Sequence, residues 1–243
     1  MKRSFIWATV IGLCIVVSAA IIGNAYKFKY KSQDVITVTG LGELEFVSDL
    51  IVWQGYFSQE SLNLQDAYKQ LENNRNIIKE YLKSKGISDS AMVFSFVNIY
   101  KQNDPVYANG NYIGTRFSGY QLSQTVKIES TDIEKIELLS RQISELITKG
   151  IQLESYAPQY YYTKLSDLKM ELISKATEDA SMRAEKVASQ AGAKLGKLMN
   201  ARMGVIQITG TNSNEAFTAG GTYNTESKNK KARITMKLDY HIK

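Results

Sequence analysis

Acid–base and nucleophilic chemistry calls for a histidine, a thiol or paired carboxylates held beside an orienting partner. This chain offers few of them. Its only histidine, His241, stands third from the C-terminus in an apolar-alternating stretch, and it is assigned no catalytic role. The only cysteine, Cys14, lies inside a long apolar run. Leu13 precedes it where lipoprotein processing needs a small residue, so Cys14 reads as an apolar helix residue. With no other cysteine, the body can form neither an intrachain disulfide nor a thiolate metal site. A zinc site would have to be built almost entirely from carboxylates, which zinc rarely accepts.

Three acids lie close together: Glu43, Glu45 and Asp49. On one regular strand their odd spacing would put them on one face. A solvated strand face, or an edge guarded by charge, is the expected outcome. Gly40-Leu-Gly42 is too short to cradle a phosphate, and no helix follows it directly. Tyr156 and the run Tyr160-Tyr161-Tyr162 have faces that stack on ligands, but such tyrosines are more often half-buried sheet residues with a wet tip. The expectation is therefore no catalytic residue, no cofactor and no metal ligand set.

The strongest local signal is a run from Ser4 to Tyr26, 23 residues without a charge. As a helix it would span about 34 Å, against ~30 Å for a bilayer hydrocarbon core. Lys2 and Arg3 precede it, and Lys27, Lys29 and Lys31 follow. Phe5, Trp7, Ile22 and Tyr26 are the expected anchor residues, with Trp7 and Tyr26 near the two interfaces. A cleaved signal peptide is the alternative, since Gly23-Asn24-Ala25 offers small residues at the cleavage positions. Against it, Phe5–Ile22 exceeds the usual ~7–15 apolar residues. The flanking lysines do not fix the orientation. Export of the body is expected because a lone N-terminal apolar segment behind Lys-Arg usually serves export.

The net charge of +6 belongs mostly to this segment. Residues 1–31 carry five basic groups and no acid, which leaves the body close to neutral. That distribution argues against nucleic acid as a partner and for lipid head groups beside the apolar run. Hydrophobic residues make up 44% of the chain, enough to build a core.

The body reads as α+β. Val35–Thr39 is expected as a strand before a Gly40-Leu-Gly42 turn, and Leu44–Ser58 as one long strand. A helix is expected near Asn63–Ser84, a strand over Ala91–Lys101, a hairpin loop over Gln102–Asn111 and a returning strand over Arg116–Glu129. Thr131-Asp132-Ile133-Glu134 reads as a capping box opening a second helix, which Gly150 ends. A strand over Ile151–Thr163 and a long helix from about Asp167 to Ala191 follow, with strands near Leu198–Thr209 and Ala232–Ile242. Between them Gly210–Lys231 reads as a mobile surface loop. Lys85-Gly86-Ile87 and Lys149-Gly150-Ile151 sit at matching helix–strand junctions, suggesting two β-α-β units in an antiparallel or mixed sheet. In the long helix Ala176, Ala180, Ala184 and Ala188 recur every four residues, which makes one face a close-packing or assembly surface.

Several strings in this order resemble the SIMPL-domain family, a bacterial family of exported proteins with animal counterparts. They are Gly119-Tyr120-Gln-Leu-Ser-Gln-Thr-Val126, Asp132-Ile-Glu-Lys135, Lys149-Gly150, Lys175-Ala176, Asp179-Ala180, Ala184, Ala188 and Gly192-Ala-Lys-Leu-Gly196-Lys-Leu198. The resemblance covers about a third of the chain closely and, in outline, the whole of residues 33–243. It implies an α+β fold, an envelope location, large homo-oligomers, links to envelope and oxidative stress tolerance, and no established enzymatic activity. The resulting division is residues 1–31 as anchor or signal and 32–243 as one SIMPL-like domain. The expected function is a non-enzymatic envelope protein that self-assembles. It would be anchored in the inner membrane with a periplasmic body, or released to the periplasm if the segment is cleaved. An extracytoplasmic binding module for a peptide or small ligand is the alternative.

Overall fold

The computed structural model describes residues 2–31 and 35–243. The uncharged run lies within a single helix, α1 (Lys2–Lys31). In chain order there follow β1 (Val35–Val47), β2 (Leu50–Ser61), α2 (Leu64–Ser84), β3 (Met92–Phe94), β4 (Asn98–Ala108), β5 (Asn111–Ser130) and α3 (Ile133–Gln142). The rest of the chain forms β6 (Leu153–Ser155), β7 (Gln159–Tyr161), α4 (Leu165–Gln190), β8 (Leu195–Met203), β9 (Gln207–Gly210) and β10 (Asn229–Ile242). The fold is α+β, and the named strands pair antiparallel in two sheets.

The first sheet has the order β3-β5-β2-β6, with β4 added on β5 and β7 on β2. Each strand–helix–strand unit skips one strand: β2–α2–β3 straddles β5, and β5–α3–β6 straddles β2. This is the interleaving of a βαββαβ sheet. Period-two alternation turns Ile51, Trp53, Phe57, Leu122, Val126 and Ile128 toward the helices, where they meet Leu71, Ile78, Leu82, Ile136 and Leu139. The repeated Lys-Gly-Ile has a physical basis. Gly86 and Gly150 adopt φ of 80° and 77°, conformations a side chain resists. The next amide reaches back to the last turn, Ile87 to Leu82 O at 3.0 Å and Ile151 to Leu146 O at 3.1 Å, the latter in the 3-10 turns Ile143–Lys149 that continue α3 to Gly150. Both isoleucines are thereby delivered into the core as Schellman-type stops.

The second sheet has the order β1-β10-β8, with β9 also on β10. β1 pairs with β10 from Val35↔His241 to Val47↔Asn229. One face of this sheet carries α4. Leu168, Leu172, Ala176 and Ala180 of the helix pack with Ala232, Ile234, Met236 and Leu238 of β10 and with Val38, Leu44 and Phe46 of β1.

Several expected boundaries are corrected. Gly40-Leu-Gly42 is no turn: β1 runs straight through it. These glycines clear space for α4, since a Cβ on Gly40 would lie 2.2 Å from Ala176 O and one on Gly42 would lie 2.3 Å from Leu172 O. The expected strand Leu44–Ser58 is two strands in different sheets, broken at Ser48-Asp49. The expected loop Gln102–Asn111 is mostly β4, and only Asn109-Gly110 turns. The second helix is capped by Asp132, whose Oδ1 accepts from Lys135 N at 3.2 Å, and Thr131 stands outside the cap. Ile151–Thr163 holds two short strands rather than one, and Leu198–Thr209 divides into β8 and β9.

The expected loop Gly210–Lys231 gives way to β10 at Asn229, and residues 211–228 are held largely by hydrogen bonds. Glu215 accepts from Gly210 N and Ser213 Oγ, both at 3.0 Å, and from the Asn224 amide. Ile208 N donates to Thr222 O at 2.7 Å, and Gln207 Oε1 accepts from Thr222 N at 2.8 Å.

Candidate functional site

The three acids singled out by spacing are divided by the strand break. Glu43 and Glu45 share the face of β1 opposite α4, where each meets the cation directly across on β10: Arg233 and Lys231. Asp49 lies past the end of β1 and clamps Thr163, accepting from its N and its Oγ1, both at 2.7 Å. The tyrosines are dispersed as well. The Tyr160 hydroxyl donates to Glu137 at 2.9 Å, Tyr162 packs on Phe46 at 4.8 Å, and Tyr161 lies 6.5 Å from Tyr223. Tyr156 is exposed apart from them. No shared stacking groove results. His241 sits on β10 opposite Val35, and Cys14 is exposed on α1. Among the described residues, no three His, Cys, Asp or Glu side chains converge as a metal site would need.

The anchor residues Trp7, Ile22 and Tyr26 are exposed on α1, and the Phe5 side chain lies outside the described residues. Ala176, Ala180, Ala184 and Ala188 are all buried within the chain. The alanine face is therefore occupied internally, with Ala176 and Ala180 against the glycines of β1, and it presents no free surface to another copy.

Sequence reasoning missed a polar centre where the two sheets meet. Lys230 is 0% exposed. Its Nζ donates to the carbonyl of Tyr160 on β7 and stands 5.3 Å from the Tyr223 ring. Burial pushes this ammonium down to about 8, opposed by the Glu215 charge. Glu215 is in turn held below the usual carboxylate range, chiefly by the Asn224 amide. Around this centre Lys228 reaches Glu134 at 2.8 Å, Ser48 N donates to Lys228 O at 2.9 Å, and Tyr160 N donates to Thr225 O at 2.7 Å. The cluster ties one sheet to the other. An amine this enclosed, already committed to a carbonyl, has no approach for a substrate. The available signal was the β10 alternation itself, which points Lys230 to the same side as Ala232 and Ile234.

The face of the second sheet away from α4 carries a depression of about 450 Å³, with Leu41, Val205 and Phe217 among its apolar lining and the Arg233–Glu43 pair among its charged lining. The Arg233 guanidinium lies 5.7 Å from the Phe217 ring. Its Nε touches Glu43 as an ion pair but makes no hydrogen bond of good angle there. The result is an apolar recess lined in part by a charged, incompletely satisfied pair.

A family model, SIMPL, described as "Protein of unknown function (DUF541)", matches residues 36–238. The chain belongs to the SIMPL family. The matched stretch opens in β1 and closes in β10, strands that pair with each other, so the SIMPL unit begins and ends at one strand pair and excludes α1. No curated protein sequence matches the chain. The SIMPL glycines quoted above include Gly196, where an added Cβ would lie 2.6 Å from His241 O, so this position serves the packing of β8 on β10.

Proposed function

We propose that this SIMPL protein is a non-enzymatic component of the cell envelope, tethered by α1 with its body on the periplasmic side. In this reading it self-assembles and serves envelope and oxidative stress tolerance. The observation that carries the tether is α1 itself: its stretch Val10–Lys27 is long and apolar enough to cross a membrane, and none of it is buried against the body. Signal sequences share that property, so release to the periplasm after cleavage is the variant of the same reading.

Self-assembly draws support from an open sheet edge. β8 pairs only with β10, and its exposed Leu198, Met199 and Met203 lie along an edge of the second sheet. Open edges pair with other chains unless they are blunted. The opposite edge is blunted: Leu41 N on β1 donates to Asp179 Oδ2 of α4 at 2.8 Å. The full chain purified in mild detergent is expected to scatter light as a multiple of one protomer, and to yield an intact N-terminus on sequencing. A one-protomer mass at tens of micromolar sinks the assembly, and a mature start near Tyr26 sinks the tether.

The recess beneath Phe217 favours a second reading, an extracytoplasmic binding module for a small amphipathic ligand or peptide. A saturable ligand that is lost in Arg233→Ala, on a strictly monomeric protein, would select that reading over the first.

A further inference from the structure

β5 is far longer than its partner β2. The last β2–β5 pair is Ser61↔Tyr120, so residues 111–119 of β5 pair only with β4. Together the two strands form an arm, and nine residues of strand carry it about 30 Å past the end of β2. The turn at its end is Asn109-Gly110, and the stretch from Pro105 to Thr115 has no Lys, Arg, Asp, Glu or His. Three large side chains at the tip are open to solvent: Tyr107 at 62%, Tyr112 at 60% and Ile113 at 64% exposure. The Tyr107 and Tyr112 rings brace each other edge to face at 6.0 Å. Charges begin only behind the tip. Asp104 stands across from Arg116, and Lys101 lies 5.3 Å from the Phe117 ring.

This pattern departs from the usual protection of an exposed hairpin, which places charge at the tip and along the edges. A tip of tyrosine and isoleucine with cations set behind it matches the chemistry of a membrane interface. There, aromatic rings settle at head-group depth and basic residues meet anionic lipid. A second protein is the poorer fit. A specific protein interface needs roughly 1,000 Å² or more, and a two-stranded tip with three exposed large side chains offers much less. A bilayer needs no such area if the chain is already held beside it, because tethering raises the effective concentration of a second, weak contact. α1 runs five residues past Tyr26 to Lys31, which as helix carries the chain about 8 Å, and four further steps reach Val35, so the start of β1 lies at most about 22 Å from the end of the uncharged run.

We propose that the β4–β5 arm is a second membrane contact, whose tip at Tyr107, Tyr112 and Ile113 rests in the interface of the bilayer that α1 anchors. The inference rests on the tether reading. The two contacts would fix the body over the lipid at two points instead of letting it swing on one linker.

The test uses the full chain reconstituted at high lipid-to-protein ratio in vesicles containing anionic lipid and brominated acyl chains. The native tryptophans are Trp7, on α1, and Trp53, fully buried in the first sheet. Wild type reports the anchor through Trp7. Trp7→Phe/Tyr112→Trp reports the arm, and Trp7→Phe/Ile113→Trp repeats the measurement at a neighbouring position. Bromine positioned near the head groups is expected to remove most of the emission added at position 112 or 113. Arg116→Glu in either background is expected to restore a large part of it. If wild-type Trp7 is quenched while both arm probes keep their emission, the arm does not touch lipid and the proposal is overturned. If Trp7 itself is not quenched, the tether reading has failed instead. Arm emission that shifts with protein density but not with bromine would assign the tip to a second copy of the chain, which also overturns the proposal.

Discussion

Lys230 carries a positive charge that folding removes from water, and this gives the protein an alkaline stability profile of definite sign. Its native value of about 8 lies below the ordinary 10.5, so the unfolded chain holds the proton that the native state has already lost. The penalty is fully present below pH 8. It is relieved as the pH rises from about 8 to 10.5, by up to about 3 kcal/mol. Tyr160 acts in the opposite sense. Burial and the Glu137 carboxylate raise its hydroxyl to about 12, so its contribution is complete below pH 10 and is lost as the pH climbs through 12. Thermal melts of the full chain in detergent should therefore gain stability from pH 8 to about 10 and lose it above. In Lys230→Met the rising limb should flatten while the falling limb remains. Parallel profiles for wild type and variant would remove Lys230 as the source.

At the scale of elements, the decisive contact is α4 on β1, where two glycines face an alanine row. Helix and strand backbones approach closely enough that a Cβ on Gly40 would lie 2.4 Å from Ala180 N. Neither partner has a flexible side chain to move aside. Gly40→Ala should cost more than the about 1–3 kcal/mol typical of overpacking, because the clash is with helix backbone. Ala180→Leu should fall within or above that range. Leu41→Ala, on the exposed side of the same strand, should cost far less. Chemical denaturation of the three variants tests the ordering, and a harmless Gly40→Ala would show that close approach of α4 to β1 does not require a glycine at this position. Asp179 reinforces the contact from outside: the Leu41 amide, then Arg183, holds its carboxyl below the usual range.

In the whole molecule, two hydrophobic cores share one chain. Ile51, Trp53 and their helices form one, and α4 with β1 and β10 forms the other. They are joined by polar ties that include Asp49 to Thr163, Lys230 to Tyr160, Lys228 to Glu134 and the backbone bond from Tyr160 N to Thr225 O. Asp49→Ala removes both hydrogen bonds to Thr163, one to a backbone amide. A charge-assisted hydrogen bond contributes about 1.5–3 kcal/mol, so this variant should unfold earlier and less cooperatively. In a Trp7→Phe background, Trp53 fluorescence would follow the first core while far-UV circular dichroism follows both. The two transitions should separate in Asp49→Ala. Coincident curves at the wild-type midpoint would mean that the remaining ties suffice without Asp49.

Much of this was legible from residue order. Helix stops at Gly86 and Gly150, the Asn63 start of α2, the alanine register of α4 and the 23-residue uncharged run are local patterns, set by dihedral preference and side-chain period within a few residues. They fixed the fold class, the family and the α1 segment. What the sequence could not decide depends on which distant segment arrives opposite. Gly40 and Gly42 carry the local marks of a turn, and only the arrival of α4 makes them mid-strand positions that must lack side chains. Lys230 reads as one more cation in a basic stretch until β7 and the 211–228 segment close over it. The hairpin residues 102–111 look like a loop because they are polar and contain a proline. They extend as strand because β5 supplies hydrogen-bond partners along nearly their whole length. Local sequence sets the conformations a segment prefers, and the tertiary structure decides which are kept by supplying or blocking the space and hydrogen bonds across the contact.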